Sequence, residues 1–107
     1  MYPVIMDRVY VAMYDEVWRT AVAAIKDCQG EIRFADKESR LIFFSLISSP
    51  EKENYYLNIY LEPIPRLESV IVYFIAHTWD GRSITKIESE FFEKLDGALK
   101  EKSNVPQ

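Results

Sequence analysis

Between Ser69 and Trp79 the chain is apolar on both parities at once: Val70, Val72, Phe74 and Ala76 fall on one, and Ile71, Tyr73, Ile75, His77 and Trp79 on the other. Side chains alternate across a strand, so if one set packs in a core, the other presents aliphatic and aromatic groups on the opposite side of the sheet. The wealth of β-branched and aromatic residues marks this segment as a strand. Any fold that contains it must therefore accommodate a sheet with apolar groups on both faces.

The neighbouring segments extend that sheet. Tyr55 to Leu61 alternates, and Pro63 and Pro65 should end it, because proline cannot donate to a ladder. Glu62 to Glu68 is short enough to connect two antiparallel strands as a hairpin. If Leu57, Ile59 and Leu61 share the core side with Val70, Val72 and Phe74, then Tyr56, Asn58 and Tyr60 join Ile71, Tyr73, Ile75, His77 and Trp79 on the reverse side. Upstream, Arg40 to Ser48 is apolar on both parities and reads as a strand covered on both faces, closed by the loop Ser49-Pro50-Glu51-Lys52-Glu53. Ile32 and Phe34 alternate against Glu31, Arg33 and Asp36, and Asp36-Lys37-Glu38-Ser39 makes a polar turn. A first strand is expected around Arg8 to Ala12, inside the β-rich stretch from Val4 to Met13.

The period changes to that of a helix in two places. After Asp15, a suitable N-cap, Trp18, Ala21, Val22, Ile25 and Cys28 recur at helical spacing until Gly30 supplies a stop. After Asp80-Gly81, Ile84, Ile87, Phe91, Leu95, Ala98 and Leu99 form a stripe, with Thr85 and Glu88 at capping-box spacing and Lys100 and Lys102 suited to the C-terminal dipole. Residues 102–107 read as a frayed tail. The order is β-α-β-β-β-β-α, an α+β fold in which an antiparallel sheet carries both helices on one face. Its 107 residues make a single domain, 1–107.

Chemistry is harder to find. Cys28 and His77 are the only residues of their kinds, which leaves no disulfide within the chain, no soft-ligand metal cluster and only one conceivable Cys/His pair. Cys28 reads more simply as a small hydrophobe at the end of its helix. Glu51 and Glu53 fall in a loop, and Glu88, Glu90 and Glu93 read as mostly solvated helix positions near Lys86 and Lys94. Gly30, Gly81 and Gly97 are too scattered for a phosphate-cradling loop. No catalytic residue, cofactor or metal site is assigned. The balance of 13 Lys and Arg against 17 Asp and Glu, a net charge of -4, repels phosphate backbones, so nucleic acid is not an expected partner. No apolar run approaches the roughly 18 residues of a membrane-spanning helix, and the N-terminus lacks the features of a signal peptide.

What remains is aromatic surface. Tyr56, Tyr60, Ile71, Tyr73, Ile75, His77 and Trp79 are the expected partner-binding surface, since tyrosine and tryptophan combine contact area with a polar tip. The expected function is a non-catalytic interaction or scaffold module that binds another protein or forms a homodimer. The alternative is a carrier of a small hydrophobic ligand or lipid, held in a cavity between the sheet and the C-terminal helix.

The segments Tyr14-Asp15-Glu16-Val17-Trp18, Gly30-Glu31-Ile32 and Asp36-Lys37-Glu38-Ser39-Arg40-Leu41-Ile42, with the ending Phe91-Phe92-Glu93-Lys94-Leu95, resemble BamC-type domains, lipoprotein domains of the bacterial outer-membrane β-barrel assembly machinery and their relatives. The resemblance implies a helix-grip fold, work as a scaffold or accessory subunit without catalysis, and a periplasmic or outer-membrane-associated location, with any lipid anchor lying upstream of Met1. A natural start at Met1 would instead imply the cytoplasm.

Overall fold

The computed structural model describes residues 2–47, 54–78 and 81–103. The elements are strand β1 (Tyr2–Tyr10), helix α1 (Tyr14–Asp27), strands β2 (Glu31–Asp36), β3 (Leu41–Ile47) and β4 (Asn54–Ile64), a 3-10 turn at Pro65–Leu67, strand β5 (Ser69–Thr78) and helix α2 (Gly81–Ser103). All strand pairs are antiparallel, in the order β1-β5-β4-β3-β2, and both helices lie on one side. The expected α+β architecture is the one observed.

Parity decides which side is core. Ile42, Phe44 and Leu46 of β3, Tyr55, Leu57, Ile59 and Leu61 of β4, and Val70, Val72, Phe74 and Ala76 of β5 are all buried beneath the helices. From α1 come Val17, Ala21, Ala24 and Ile25; from α2 come Ile84, Ile87, Phe91, Phe92, Leu95 and Leu99. The rings of Phe74, Phe91 and Phe92 form a cluster with centroids 5.2 to 6.2 Å apart. Phe92 was not part of the expected stripe. It is covered because α2 lies against β1, where the Arg8 guanidinium sits 5.0 Å from the Phe92 ring centre.

Several boundaries differ from expectation. β1 runs from Tyr2 to Tyr10, not Arg8 to Ala12: its pairing with β5 begins at Tyr2–Thr78 and ends at Tyr10–Val70, and Val11 lies outside the strand. α1 starts one residue before Asp15: Met13 is the N-cap, and Asp15 adds its charge in the first turn while pairing with Lys37 at 2.8 Å. Pro63 lies within β4 rather than ending it. β3 reaches only to the level of Tyr60, so Pro63 has β5 on one side and no strand on the other, an edge setting that tolerates a missing donor. Thr85 is inside α2, which is already helical from Gly81, and is not its cap. Ala98 is exposed. Glu88 is buried at 6% exposure, contrary to the solvated position expected, because it shares the inner side of α2 with Ile84 and Phe92. α2 runs on through Ser103, so the expected tail begins within the helix. Residues 104–107, Trp79 and the loop bearing Glu51 and Glu53 lie outside the described residues.

Gly30 acts differently from a simple helix stop. α1 ends in a Schellman arrangement, with the Gln29 N–H donating to the Lys26 carbonyl and the Gly30 N–H to the Ile25 carbonyl, each at 2.9 Å. The left-handed residue is Gln29, at φ 65°. Gly30 is there for space: a Cβ would stand 2.8 Å from Ile25 Cγ2 and 3.0 Å from Phe44 Cδ2.

Candidate interaction surface

The side of the sheet away from the helices is built from the opposite parities. On β5 it carries Ile71, Tyr73 and Ile75; on β4, Tyr56, Asn58, Tyr60 and Glu62; on β3, Leu41, Phe43, Ser45 and Ile47; on β1, Ile5, Asp7 and Val9. No described residue packs over it as a second layer. We call it the open side.

Register brings most of the expected surface residues together. Tyr60 stands opposite Tyr73, with ring centroids 6.0 Å apart, and the Tyr73 hydroxyl donates to the Glu62 carboxylate at 3.1 Å. That hydrogen bond pushes the Tyr73 phenol above its usual value, because ionisation would set two anions side by side. Ile75 stands opposite Asn58 and Ile71 opposite Glu62. Tyr56 is exposed and stacks on Phe43 at 6.0 Å. Tyr60, Ile71, Tyr73 and Ile75 are half-buried, sheltered by their cross-strand neighbours. His77 lies in β5 opposite Pro3, with its side chain outside the described residues, as is all of Trp79.

The structure adds members that sequence reading missed. Phe43 belongs to the surface because β3 is covered on one face only, correcting the expectation that both were covered. Phe34 joins through a register shift between Ile32 and Phe34: two residues of β2, Arg33 and Phe34, oppose Phe43 alone. Simple alternation would have kept Phe34 with Ile32 beside the core, whereas Phe34 is exposed. Arg33 folds over the open side, donating from Nε to Ser45 Oγ at 3.0 Å and pairing with Glu31 at 3.5 Å. This explains why Ser45 is buried on an otherwise open face. Ile5, Val9 and Ile47 add exposed aliphatic surface.

No protein-family model and no curated protein matches the chain. The fold is shared. A protein from Nitrosospira multiformis superposes with a TM-score of 0.71 at 13% identity, over 97% of this chain and 100% of its own. CalU16 from Micromonospora echinospora gives 0.70 at 13% identity, over 98% of this chain and 76% of its own. A Mesorhizobium loti protein gives 0.62 at 15%, over 94% and 98% respectively. Such likenesses establish a common architecture and no more. That architecture is helix-grip-like, one antiparallel sheet holding both helices on a single face.

Chemically, the open side offers contact rather than catalysis: aromatic and aliphatic groups, phenol hydroxyls, the Asn58 amide, and carboxylates at Asp7 and Glu62. Among the described residues no three His, Cys, Asp or Glu side chains converge as a metal site. Cys28 is half-buried at the end of α1, where burial pushes its thiol above the usual value. Among the described residues no helix is long and apolar enough to cross a membrane.

Proposed function

We propose that this chain is a non-catalytic protein-interaction module that binds another polypeptide on the open side of its sheet. The observation that carries this reading is the continuous row Ile5–Ile75–Asn58–Phe43–Phe34, which crosses all the strands and is flanked by the Tyr60–Tyr73 and Phe43–Tyr56 ring pairs. A soluble sheet with a solvent-facing side normally alternates apolar-in with polar-out. Here the outer parity carries groups of the kind that anchor interfaces. The resemblance to BamC-type domains supports the same reading, and the cell-envelope location it implies is part of the proposal. Peptides selected from a random displayed library against the wild type test it. They should lose about tenfold or more in affinity for a folded Tyr73→Asp variant, and nothing for Lys94→Glu on α2. Equal binding to Tyr73→Asp would refute the assignment.

One observation favours a second reading, a small amphiphilic ligand between the sheet and α2. Glu88 is buried among apolar side chains, and no hydrogen bond or ion pair engages it among the described residues. A buried carboxylate normally has a partner. The packed Phe74–Phe91–Phe92 cluster weighs against free volume for such a ligand. Native mass spectrometry discriminates: a lipid-sized adduct that Glu88→Ala removes supports the carrier, and a bare chain opposes it.

A further inference from the structure

The open side carries its charge unevenly. Among the described residues, register places Asp7, Glu62, Glu31, Asp36 and Arg33 there, all acidic but the last. At the β2 end these charges are already engaged. Arg33 pairs with Glu31 at 3.5 Å and holds Ser45, while the Asp36 carboxylate accepts from the Glu38 N–H at 3.2 Å and the Ser39 hydroxyl at 2.6 Å, bracing the turn. Asp7 and Glu62 are left toward the β1 end. Asp7 is exposed, and no hydrogen bond or ion pair engages it among the described residues. The hydrogen bond that Glu62 accepts from the Tyr73 hydroxyl brings it no positive charge.

These two carboxylates border a pair of rings. Asp7, Tyr73 and Tyr60 stand in one row across β1, β5 and β4, and Glu62 follows Tyr60 by two residues on the same face. The Tyr60 and Tyr73 rings lie 6.0 Å apart at a tilt of 38° and stay partly open to solvent. The face of a tyrosine ring attracts a cation, and here a carboxylate stands on either side of Tyr73. Both act on it: the phenol is pushed above its usual value by the hydrogen bond to Glu62 first, then by burial, and by Asp7 through space. The adjacent row on this face, about 7 Å away, is the apolar Ile5–Ile75–Asn58–Phe43–Phe34.

We propose that the partner of the open side is a basic polypeptide segment, which seats a lysine or arginine side chain on the Tyr60–Tyr73 pair between Asp7 and Glu62 while its apolar residues cover the adjacent row. This inference rests on the open-side reading and names the partner's chemistry. The sign of the uncompensated charge selects a cation and repels phosphate-bearing surfaces, whether of lipid or of nucleic acid. A small cation would fill the ring pair and leave the apolar row bare, whereas a polypeptide with a basic residue beside apolar ones covers both.

The test uses peptides selected on the wild type from a random displayed library, which should be enriched in lysine and arginine over the unselected library. Removing charge without changing shape, in the double variant Asp7→Asn/Glu62→Gln, should cost such a peptide about fivefold or more in affinity and flatten its dependence on salt. The amide that Glu62→Gln introduces still accepts from Tyr73, so the fold should hold. Should the double variant lack the native circular dichroism spectrum, Asp7→Asn alone, at an exposed position, carries the same measurement. Replacing the peptide's basic residue with norleucine should cost about as much on the wild type and little on the charge variant, the two changes being coupled. Tyr73→Asp removes a ring of the seat and remains the test of the open side as a whole. Selected peptides that are apolar or acidic, or basic ones that bind the charge variants as tightly as the wild type, would overturn this inference while the open-side reading stands on Tyr73→Asp. A selection that yields no binder, or binders indifferent to Tyr73→Asp, would overturn both.

Discussion

Replacing Gly30 with alanine probes how α1 hands the chain to β2. The new Cβ would stand 2.8 Å from Ile25 Cγ2, 3.0 Å from Phe44 Cδ2 and 3.1 Å from the Ile25 carbonyl oxygen. None of these can easily yield. Ile25 and Phe44 are core side chains, and the carbonyl is held by the Gly30 N–H at 2.9 Å. Forcing a methyl into a packed site of this kind costs about 1–3 kcal/mol. Backbone conformation contributes nothing to that cost, since the positive φ of this turn belongs to Gln29. Gln29→Gly should accordingly be neutral or stabilising by up to about 1 kcal/mol, the left-handed strain relieved being partly offset by a freer unfolded chain. Urea denaturation of the wild type and both variants, compared at common slope, measures each value. A Gly30→Ala variant within about 0.5 kcal/mol of wild type, or a Gln29→Gly variant that is clearly destabilised, would refute the steric account.

Other outcomes follow from the titrating groups. Burial, reinforced by the hydrogen bond to Asp96, pushes the Tyr10 phenol far above its ordinary 10.0. The unfolded chain ionises this group near its ordinary value while the folded chain does not, so its contribution is complete below that pH and is lost as pH rises beyond it. Tyr10→Phe should be less stable at neutral pH, and its stability should fall less steeply above pH 10.0, as followed by denaturation across the alkaline range; an unchanged slope would contradict the assignment. Cys28, raised by burial, should alkylate more slowly in the folded chain than in denaturant, and equal rates would show that it is freely exposed.

Much of the fold was legible because its signals are local and periodic. The twofold alternation of Tyr55 to Leu61 and the helical stripe from Ile84 to Leu99 each name an element and its buried side. Pairing supplies what local signals lack. The partner of β1 is β5, far away in sequence, and the tolerance of Pro63 depends on where β3 happens to stop. At Gly30 the residue type was informative but its reason was not. A glycine after a helix suggests left-handed backbone, and only the positions of Ile25 and Phe44 show that space is the constraint. For the surface, parity placed Tyr56, Tyr60, Ile71, Tyr73 and Ile75 together. Phe34 was lost to a register shift with no marker of its own, and Phe43 to a strand whose apolar residues on both parities suggested two covered faces.

The central claim is that parity in β5 separates a core side from a solvent-facing side, and neighbouring residues test it most directly. Phe74 is fully buried against Phe91 and Phe92, so Phe74→Asp loses a ring worth about 3–5 kcal/mol and strands a carboxylate in the core. Tyr73 faces the open side beside Tyr60 and Glu62, where an aspartate can remain hydrated. Circular dichroism and thermal melting of the two variants should find Tyr73→Asp folded with a cooperative transition and Phe74→Asp unfolded. Collapse of Tyr73→Asp, or survival of Phe74→Asp, would contradict the account.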